Sequence, residues 1–255
     1  MAQKNRDSKD TGSILLPNYY CSDYFNNPKR HSEDASFKAN NFVKLLLRFL
    51  ESKIIPINSF IDVGCGSGDI VKIIADSLRE SGFNSMTFKA YDVSPHVIDI
   101  KNDDIEYIKG DFCESDEFAD VVTLFDVIEH VPDTIKFIKK ISQRCKVIGF
   151  HIPLDNSINV SIRNKFHQKL QNPGHVVFMD SVFALNLLAL SGLRVVDYEY
   201  SFCFTAPSGH NTIFSKIIFP LRYLLAKISP WLLSKTLGGV SLFILAITPK
   251  GLQEI

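Results

Sequence analysis

Three glycines alternate with other residues at Gly64, Gly66 and Gly68, directly after the apolar run Phe60-Ile61-Asp62-Val63. A chain that turns sharply from a buried strand into a helix needs residues that accept positive φ and leave backbone N–H groups bare, so this segment reads as a nucleotide cradle. Its spacing is Gly-x-Gly-x-Gly, and Asp69 stands where a dinucleotide fingerprint requires a third glycine for close helix packing. The carboxylates Asp62 and Asp69 bracket the loop. They repel a pyrophosphate but not a cofactor that carries a sulfonium and an ammonium. A second strand-like run, Met86 to Asp92, ends in a carboxylate 24 residues beyond Gly68. An α/β nucleotide fold places the acid that binds ribose hydroxyls close to that point, which makes Asp92 the expected ribose ligand.

Two further segments continue the pattern. The run Ile105 to Ile108 leads to Gly110-Asp111-Phe112, and Ala119 to Phe125 leads into Asp126-Val127-Ile128-Glu129-His130-Val131-Pro132-Asp133. With DVGCGSG, YDVSP, GDF and DVIEHVPD in this order, the chain resembles a class I S-adenosylmethionine-dependent methyltransferase of the small-molecule type, similar to the quinone-biosynthesis O-methyltransferases. The resemblance covers roughly residues 40 to 205. It implies an α/β fold, a Rossmann-like doubly wound sheet of seven mostly parallel strands with helices on both faces, and S-adenosyl-L-methionine as cofactor. It implies that Asp62, Gly64, Cys65 and Gly66 hold the methionine end of that cofactor and Asp92, with the adjoining Val93, its ribose. Asp111 would accept from the adenine amine while Phe112 stacks near the ring, and Phe125 with Asp126 would line the floor beneath the methionine.

A sulfonium methyl is already activated, so the protein must mainly set a nucleophile in line and exclude water. Orientation supplies about 7–11 kcal/mol of such a barrier, and a positioned base adds roughly 10²–10⁴-fold where a hydroxyl must lose its proton. The histidines considered for that base are His130, His151, His167 and His175. His175 ranks first, because its Gly-His-x-x-Phe setting resembles one beside the substrate cleft of the family. His151 ranks second, because it falls at the carboxyl end of the fifth expected strand, where ligands of open α/β sheets gather. For each the plain alternative is a hydrogen-bonded structural histidine. Asp126, Glu129 and His130 are metal-ligating types, yet neighbours at a helix start point in different directions, so no metal site is expected. Cys65 lacks an evident base partner and is expected to pack beneath the cofactor.

The elements that must position these residues follow from periodicity. Apolar residues at helical spacing predict a helix over 37–50. Helix 69–80, strand 86–91, helix 95–101, strands 105–109 and 119–125, helix 133–143 and strand 145–151 then alternate, the pattern of a parallel sheet. Pro153 to Gly174 reads as a polar linker of lid or binding-loop type. Helix 180–190, a strand over 193–204 and a last strand over 240–248 complete the sheet, the last inserted antiparallel if the family pattern holds. Residues 1–34 read as a mobile tail followed by an aromatic segment that either covers the site or packs on the domain, and 35–255 as the catalytic domain.

Composition limits the remaining choices. With 28 basic and 28 acidic residues the formal charge is zero, so no global field attracts nucleic acid. Five irregularly spaced cysteines and a polar start without a signal-type apolar stretch point to a cytoplasmic protein. From Tyr200 to Gln253 there is no acidic residue, and the insertion 205–237 is apolar with basic edges. If 213–233 is helical, Lys216, Tyr223, Lys227 and Ser234 fall on one side. That stretch is expected to roof the substrate pocket, to form a homodimer contact, or to lie on the inner membrane face as a peripheral helix; its cations and prolines argue against spanning. The expected acceptor is a small molecule, a glycan or a lipid-linked compound. Two other readings stay open, an NAD-dependent oxidoreductase and a non-catalytic nucleotide-binding protein of the same fold.

Overall fold

The computed structural model describes residues 32–52, 55–210 and 212–255. The expectations for the tail, for the aromatic segment and for Cys21 lie outside these residues. The elements run α1 (Ala35–Glu51), β1 (Ser59–Val63), α2 (Asp69–Glu80), β2 (Thr87–Asp92), β3 (Ile105–Lys109), β4 (Ala119–Phe125), α3 (Thr134–Ser142), β5 (Cys145–Pro153), α4 (Ile158–Ile162), α5 (Phe166–Gln171), α6 (Ser181–Leu190), β6 (Arg194–Ser201), α7 (Ile213–Ile228), α8 (Pro230–Lys235), β7 (Ser241–Ile247) and α9 (Pro249–Leu252). The seven strands form one sheet in the order β3-β2-β1-β4-β5-β7-β6. All pairs are parallel except those of β7, which runs antiparallel to both β5 and β6. The expected architecture is thus present, including the inserted antiparallel strand.

Every residue of β4 and of β7 is buried, as a strand covered on both faces demands. The period-two alternation sorts their side chains into two layers. Phe60, Val121, Val147, Phe243 and Leu245 face α1 and α2, whereas Ile61, Val122, Ile148, Ile244 and Ala246 face α3 and α6. Burying each such side chain is worth about 1.5–3 kcal/mol. At Gly149 a Cβ would stand 2.3 Å from the Phe42 ring, so the absence of a side chain lets α1 close onto the middle of β5.

This order places a switch point between β1, whose next strand β2 lies on one side, and β4 on the other. The crevice at the carboxyl ends of such strands is where open α/β sheets take ligands. Asp62, Asp92 and Asp126 all stand at that edge.

Three expectations need correction. The helix expected over 95–101 is a short 3-10 turn, Pro95–Asp99, started by the Ser94 side chain accepting from His96 N. The segment expected as a polar linker carries α4 and α5; the Ser157 side chain caps the first by accepting from Val160 N. The insertion is helical but breaks at Ser229, which caps α8 with Pro230 at its first position. That break turns Ser234 into the interior, while Lys216, Tyr223 and Lys227 stay outside. Among the described residues no helix is long and apolar enough to cross a membrane.

Candidate functional site

The glycine loop is built as a bare bend. Gly64 (φ 78) and Cys65 both donate to Tyr91 O, at 2.8 and 3.1 Å. A Cβ at Gly64 would meet Val127 Cγ2 at 2.5 Å, and one at Gly68 (φ 77) would meet the Tyr107 ring at 2.6 Å. Gly66 (φ 55) faces open space instead. Its N–H donates to Asp92 Oδ2 at 2.7 Å, and the other Asp92 oxygen accepts from Ser94 N at 2.7 Å. Asp92 thereby sets the loop, and its remaining lone pairs are available to hydroxyl donors. Val93, beside it, is exposed on the rim.

Asp62 is 2% exposed. Its Oδ1 accepts from Thr123 Oγ1 at 2.6 Å, and its second oxygen has no partner among the described residues. Burial, with the Asp92 charge adding to it, pushes the Asp62 carboxyl up to about 7 against the Thr123 bond. Burial also pushes the Cys65 thiol up, so it is no nucleophile. Asp111 accepts from Cys113 N at 2.8 Å and caps a short turn. Phe112 does not stand where the resemblance put it. Its ring is 1% exposed and packs edge-on against Tyr91, with centroids 5.2 Å apart, so it belongs to the core and offers no free face to an adenine.

Phe125 and Asp126 lie at the end of β4 as expected. Phe125 packs between Phe42 and Phe243. Asp126 adopts φ 54, a region that non-glycine residues occupy only where the surroundings hold them. The holders are Lys38 Nζ at 2.5 Å and His151 Nδ1 at 2.7 Å. Burial disfavours the Asp126 carboxylate, yet the charges of His151 and Lys38 outweigh it and hold the carboxyl well below the usual range. Burial likewise opposes the His151 cation, but Asp126 prevails and raises His151 to about 9. His151 Nε2 reaches Cys203 Sγ at 3.9 Å, and Cys203 contacts Ser241 Oγ at 3.0 Å.

A second polar group forms beside this floor. His175 Nδ1 lies 2.5 Å from Asp155 Oδ2, and Lys169 Nζ holds the other Asp155 oxygen at 2.7 Å. Burial opposes the Asp155 charge, but His175 and Lys169 keep its carboxyl below the usual range. An ionised carboxylate only accepts, so Nδ1 carries the proton of this contact. Nε2 lies 3.8 Å from Glu129 Oε1. Glu129 is fully buried, and both its carboxyl oxygens lack a hydrogen-bond partner among the described residues. Burial, then the Asp126 charge, raises its carboxyl well above the usual range.

Glu129 and His130 were expected to diverge. They converge instead: with His175 they bring one ligand atom each within 4.8 Å of one another. His130 Nδ1 meets Gly174 O at 3.0 Å. Sequence reasoning missed Lys38, Thr123 and Asp155. Lys38 alone left a signal, a cation on the apolar stripe of α1 with Ala35, Ala39 and Phe42.

The family model described as a methyltransferase domain matches residues 33–198. Among solved structures, one chain of the complex between the Haloferax volcanii Trm112 methyltransferase activator and a methyltransferase is similar with a TM-score of 0.57 and 12% identity, covering 90% of this chain and 99% of that one. The magnesium protoporphyrin IX methyltransferase of Synechocystis PCC 6803, solved with bound SAH, gives a TM-score of 0.51 at 12% identity, over 84% of this chain and 82% of its own. The plantazolicin methyltransferase BpumL, solved with SAH and a monoazolic desmethyl analogue, gives 0.51 at 14% identity over 88% and 92%. Identities this low speak for the fold. Among curated proteins no sequence matches the chain.

Glu129 allows a direct check of this electrostatic arrangement. An acid whose folded pKa lies above its unfolded value costs nothing below pH 4.5 and destabilises increasingly as pH rises from there toward the folded pKa. Glu129→Gln is therefore expected to stabilise the protein at pH 7, and to make no difference near pH 4. Denaturant unfolding at the two pH values measures this; a loss of stability at pH 7 would mean that Glu129 is ionised and paired with a cation.

Proposed function

The chain belongs to the methyltransferase-domain family, and from that premise we propose that it methylates an oxygen of a small-molecule or lipid-linked acceptor with S-adenosyl-L-methionine. The observation that carries this reading is the bare glycine bend set between the two buried carboxylates Asp62 and Asp92. The residues present fit the cofactor: Asp62 keeps an oxygen for an ammonium, Gly66 leaves open space above its backbone, and Asp92 keeps lone pairs for ribose hydroxyls. When bound, that cofactor supplies a methyl group activated on a sulfonium. The same carboxylates would repel the pyrophosphate of a dinucleotide, which disfavours the oxidoreductase.

Of the two ranked histidines, His175 suits the base. His151, raised to about 9, is already protonated at neutral pH and is committed to Asp126. His175 is oriented by Asp155 with its Nε2 turned to the side of Glu129, the arrangement by which a carboxylate fixes an imidazole for proton abstraction. It takes the hydroxyl proton of the acceptor, while Phe125 and the Asp126 floor keep water from below.

We place the protein peripherally on an anionic membrane surface. Ile213, Ile217 and Ile228 are 79, 71 and 68% exposed, and Leu221 and Leu224 continue their stripe along the outer face of α7 toward the exposed Trp231. Lys216 and Lys227 edge one side. Arg163, stacked over Phe214 at 4.0 Å, edges the other. An apolar helical face of this kind with cationic borders and no acid fits a lipid interface.

Three outcomes test these readings. Because Asp62 must ionise to hold an ammonium and titrates at about 7 in the free protein, S-adenosylhomocysteine should bind more tightly as pH rises from 6 to 8, with uptake of the released proton by the buffer. Calorimetry in buffers of different ionisation enthalpy reads this. Affinity independent of pH, or stabilisation by NAD in its place, would overturn the assignment. With an acceptor found by screening against methyl-labelled cofactor, His175→Ala should lower kcat by about 10²–10⁴-fold and leave S-adenosylhomocysteine binding unchanged; an unaltered kcat removes His175 from the chemistry. Replacing Arg163, Lys216 and Lys227 by glutamate should abolish co-sedimentation with anionic vesicles. A parent protein that ignores vesicles, or that forms a dimer through this face instead, would refute membrane contact.

A further inference from the structure

We infer that Arg222 is an anion-recognition residue whose guanidinium forms part of a binding site for the phosphate of a phosphate-bearing acceptor. The inference rests on the methyl-transfer reading and narrows its substrate class.

Arg222 lies on the inner face of α7, one turn before buried Ala226 and opposite the exposed stripe. It is 8% exposed. Its Nη2 donates to Leu237 O at 2.8 Å, its Nε is fully buried without a partner, and no carboxylate pairs with it among the described residues. Four other buried or half-buried cations differ in this respect: Lys38 pairs with Asp126, Lys146 with Asp120, Lys169 with Asp155 and Lys235 with Asp180. A buried ion without a counter-charge costs several kcal/mol. Burial, then the nearby Arg163 charge, works against its protonation, so the guanidinium stands in a setting that an anion would relieve.

The surroundings fix the place of the guanidinium. Gly238 and Gly239, at φ 64 and 77, make a bare bend before β7. A Cβ at Gly239 would stand 3.1 Å from Arg222 Cζ and 3.2 Å from Nη1, and one at Gly238 would stand 2.9 Å from Ser157 Oγ. Because Ser241 of β7 pairs with Pro153 of β5, this bend lies at the carboxyl edge of the sheet, the edge that carries Asp62, Asp92 and Asp126. A guanidinium fork matches phosphate geometry, and a second guanidinium close enough to act on the first favours a doubly charged group over a single carboxylate. The phosphate can belong to a lipid headgroup or to a soluble compound. The competing reading is a structural tie from α7 to the turn at Leu237.

The full chain is first shown by calorimetry to bind S-adenosylhomocysteine, so that failure there counts against the methyl-transfer reading and not against this one. Thermal unfolding of that complex is then followed with inorganic pyrophosphate, with a short-chain phosphatidic acid below its micelle threshold, and with chloride at matched ionic strength. We expect a saturable rise in melting temperature with at least one of the two phosphates, the responding one naming the source. In Arg222→Met the rise should vanish while the melting temperature in chloride stays level or increases, because an uncompensated buried charge has gone. Arg222→Lys should keep the fold and bind roughly ten- to a hundredfold more weakly, the loss of one charged hydrogen bond. No saturable response in the parent, an equal response in Arg222→Met, or a fall of the Arg222→Met melting temperature in chloride together with an unresponsive parent would overturn the inference.

Discussion

The buried contact of Asp126 with Lys38 and His151 is the interaction on which the site geometry depends. Asp126 follows the last residue of β4 in a backbone conformation that has to be held, and it is held from two sides: Lys38 of α1 and His151 of β5. Its own N–H donates to His151 O at 3.0 Å. Through Cys203 and Ser241 the same chain of contacts reaches the segment after β6 and the start of β7. One polar thread therefore ties α1, the central strands and the antiparallel edge together beneath the glycine loop. Removing one partner of such a group leaves an uncompensated buried charge, at a cost of roughly 3–5 kcal/mol. His151, raised to about 9, contributes stability that is complete below its unfolded value of 6.5 and lost as pH rises through 9. Asp126, depressed, contributes above 3.8 and loses that contribution as pH falls through its folded value. The floor is thus locked across the neutral range.

Satisfied and unsatisfied charges divide the molecule in a consistent way. The floor is compensated, which suits a scaffold that must not move. Around it stand Glu129, with both carboxyl oxygens buried and unpartnered, Arg222, with a buried unpartnered Nε, and Asp62, whose second oxygen has no partner among the described residues. A buried polar group without a partner is costly and calls for an explanation in ligand, water or ion. All three lie toward the carboxyl edge of the sheet, and they differ in sign. An edge that carries a buried acid at the glycine bend, a second buried acid beside a histidine and a cation without counter-charge fits the proposed meeting of a positively charged donor and a negatively charged acceptor.

Much of this was legible in the residues. The helix over 69–80 and the strands over 105–109 and 119–125 coincide with the structure because caps, glycines and unbroken apolar runs mark their ends. The glycine loop and its acids were legible because few residues accept those dihedrals. What remained hidden depends on long-range contact. Nothing local shows that Asp155 and His175, 20 residues apart, meet, or that Lys38 reaches Asp126 across 88 positions. Phe112 misled because a motif position fixes the backbone, while the direction of the ring was decided by packing against Tyr91. The side shared by Lys216, Tyr223, Lys227 and Ser234 assumed one straight helix, and the cap at Ser229 ended it.

The insertion between β6 and β7 joins strands that are already hydrogen-bonded neighbours, so lengthening that connection costs little closure entropy, about 0.6 kcal/mol per doubling. A chain can therefore add α7 and α8 there without disturbing the sheet. Once added, a single helix must face two ways. With 3.6 residues per turn, positions 222 and 226 come together on the inner face while 217, 221, 224 and 228 share the outer one. The outer residues are aliphatic and exposed, and the inner face carries Arg222 against the glycine bend before β7. That division links surface and site through one element: if the outer stripe seats on a bilayer as proposed, the same helix sets its inner arginine, and with it the proposed phosphate contact, at a fixed distance from that surface.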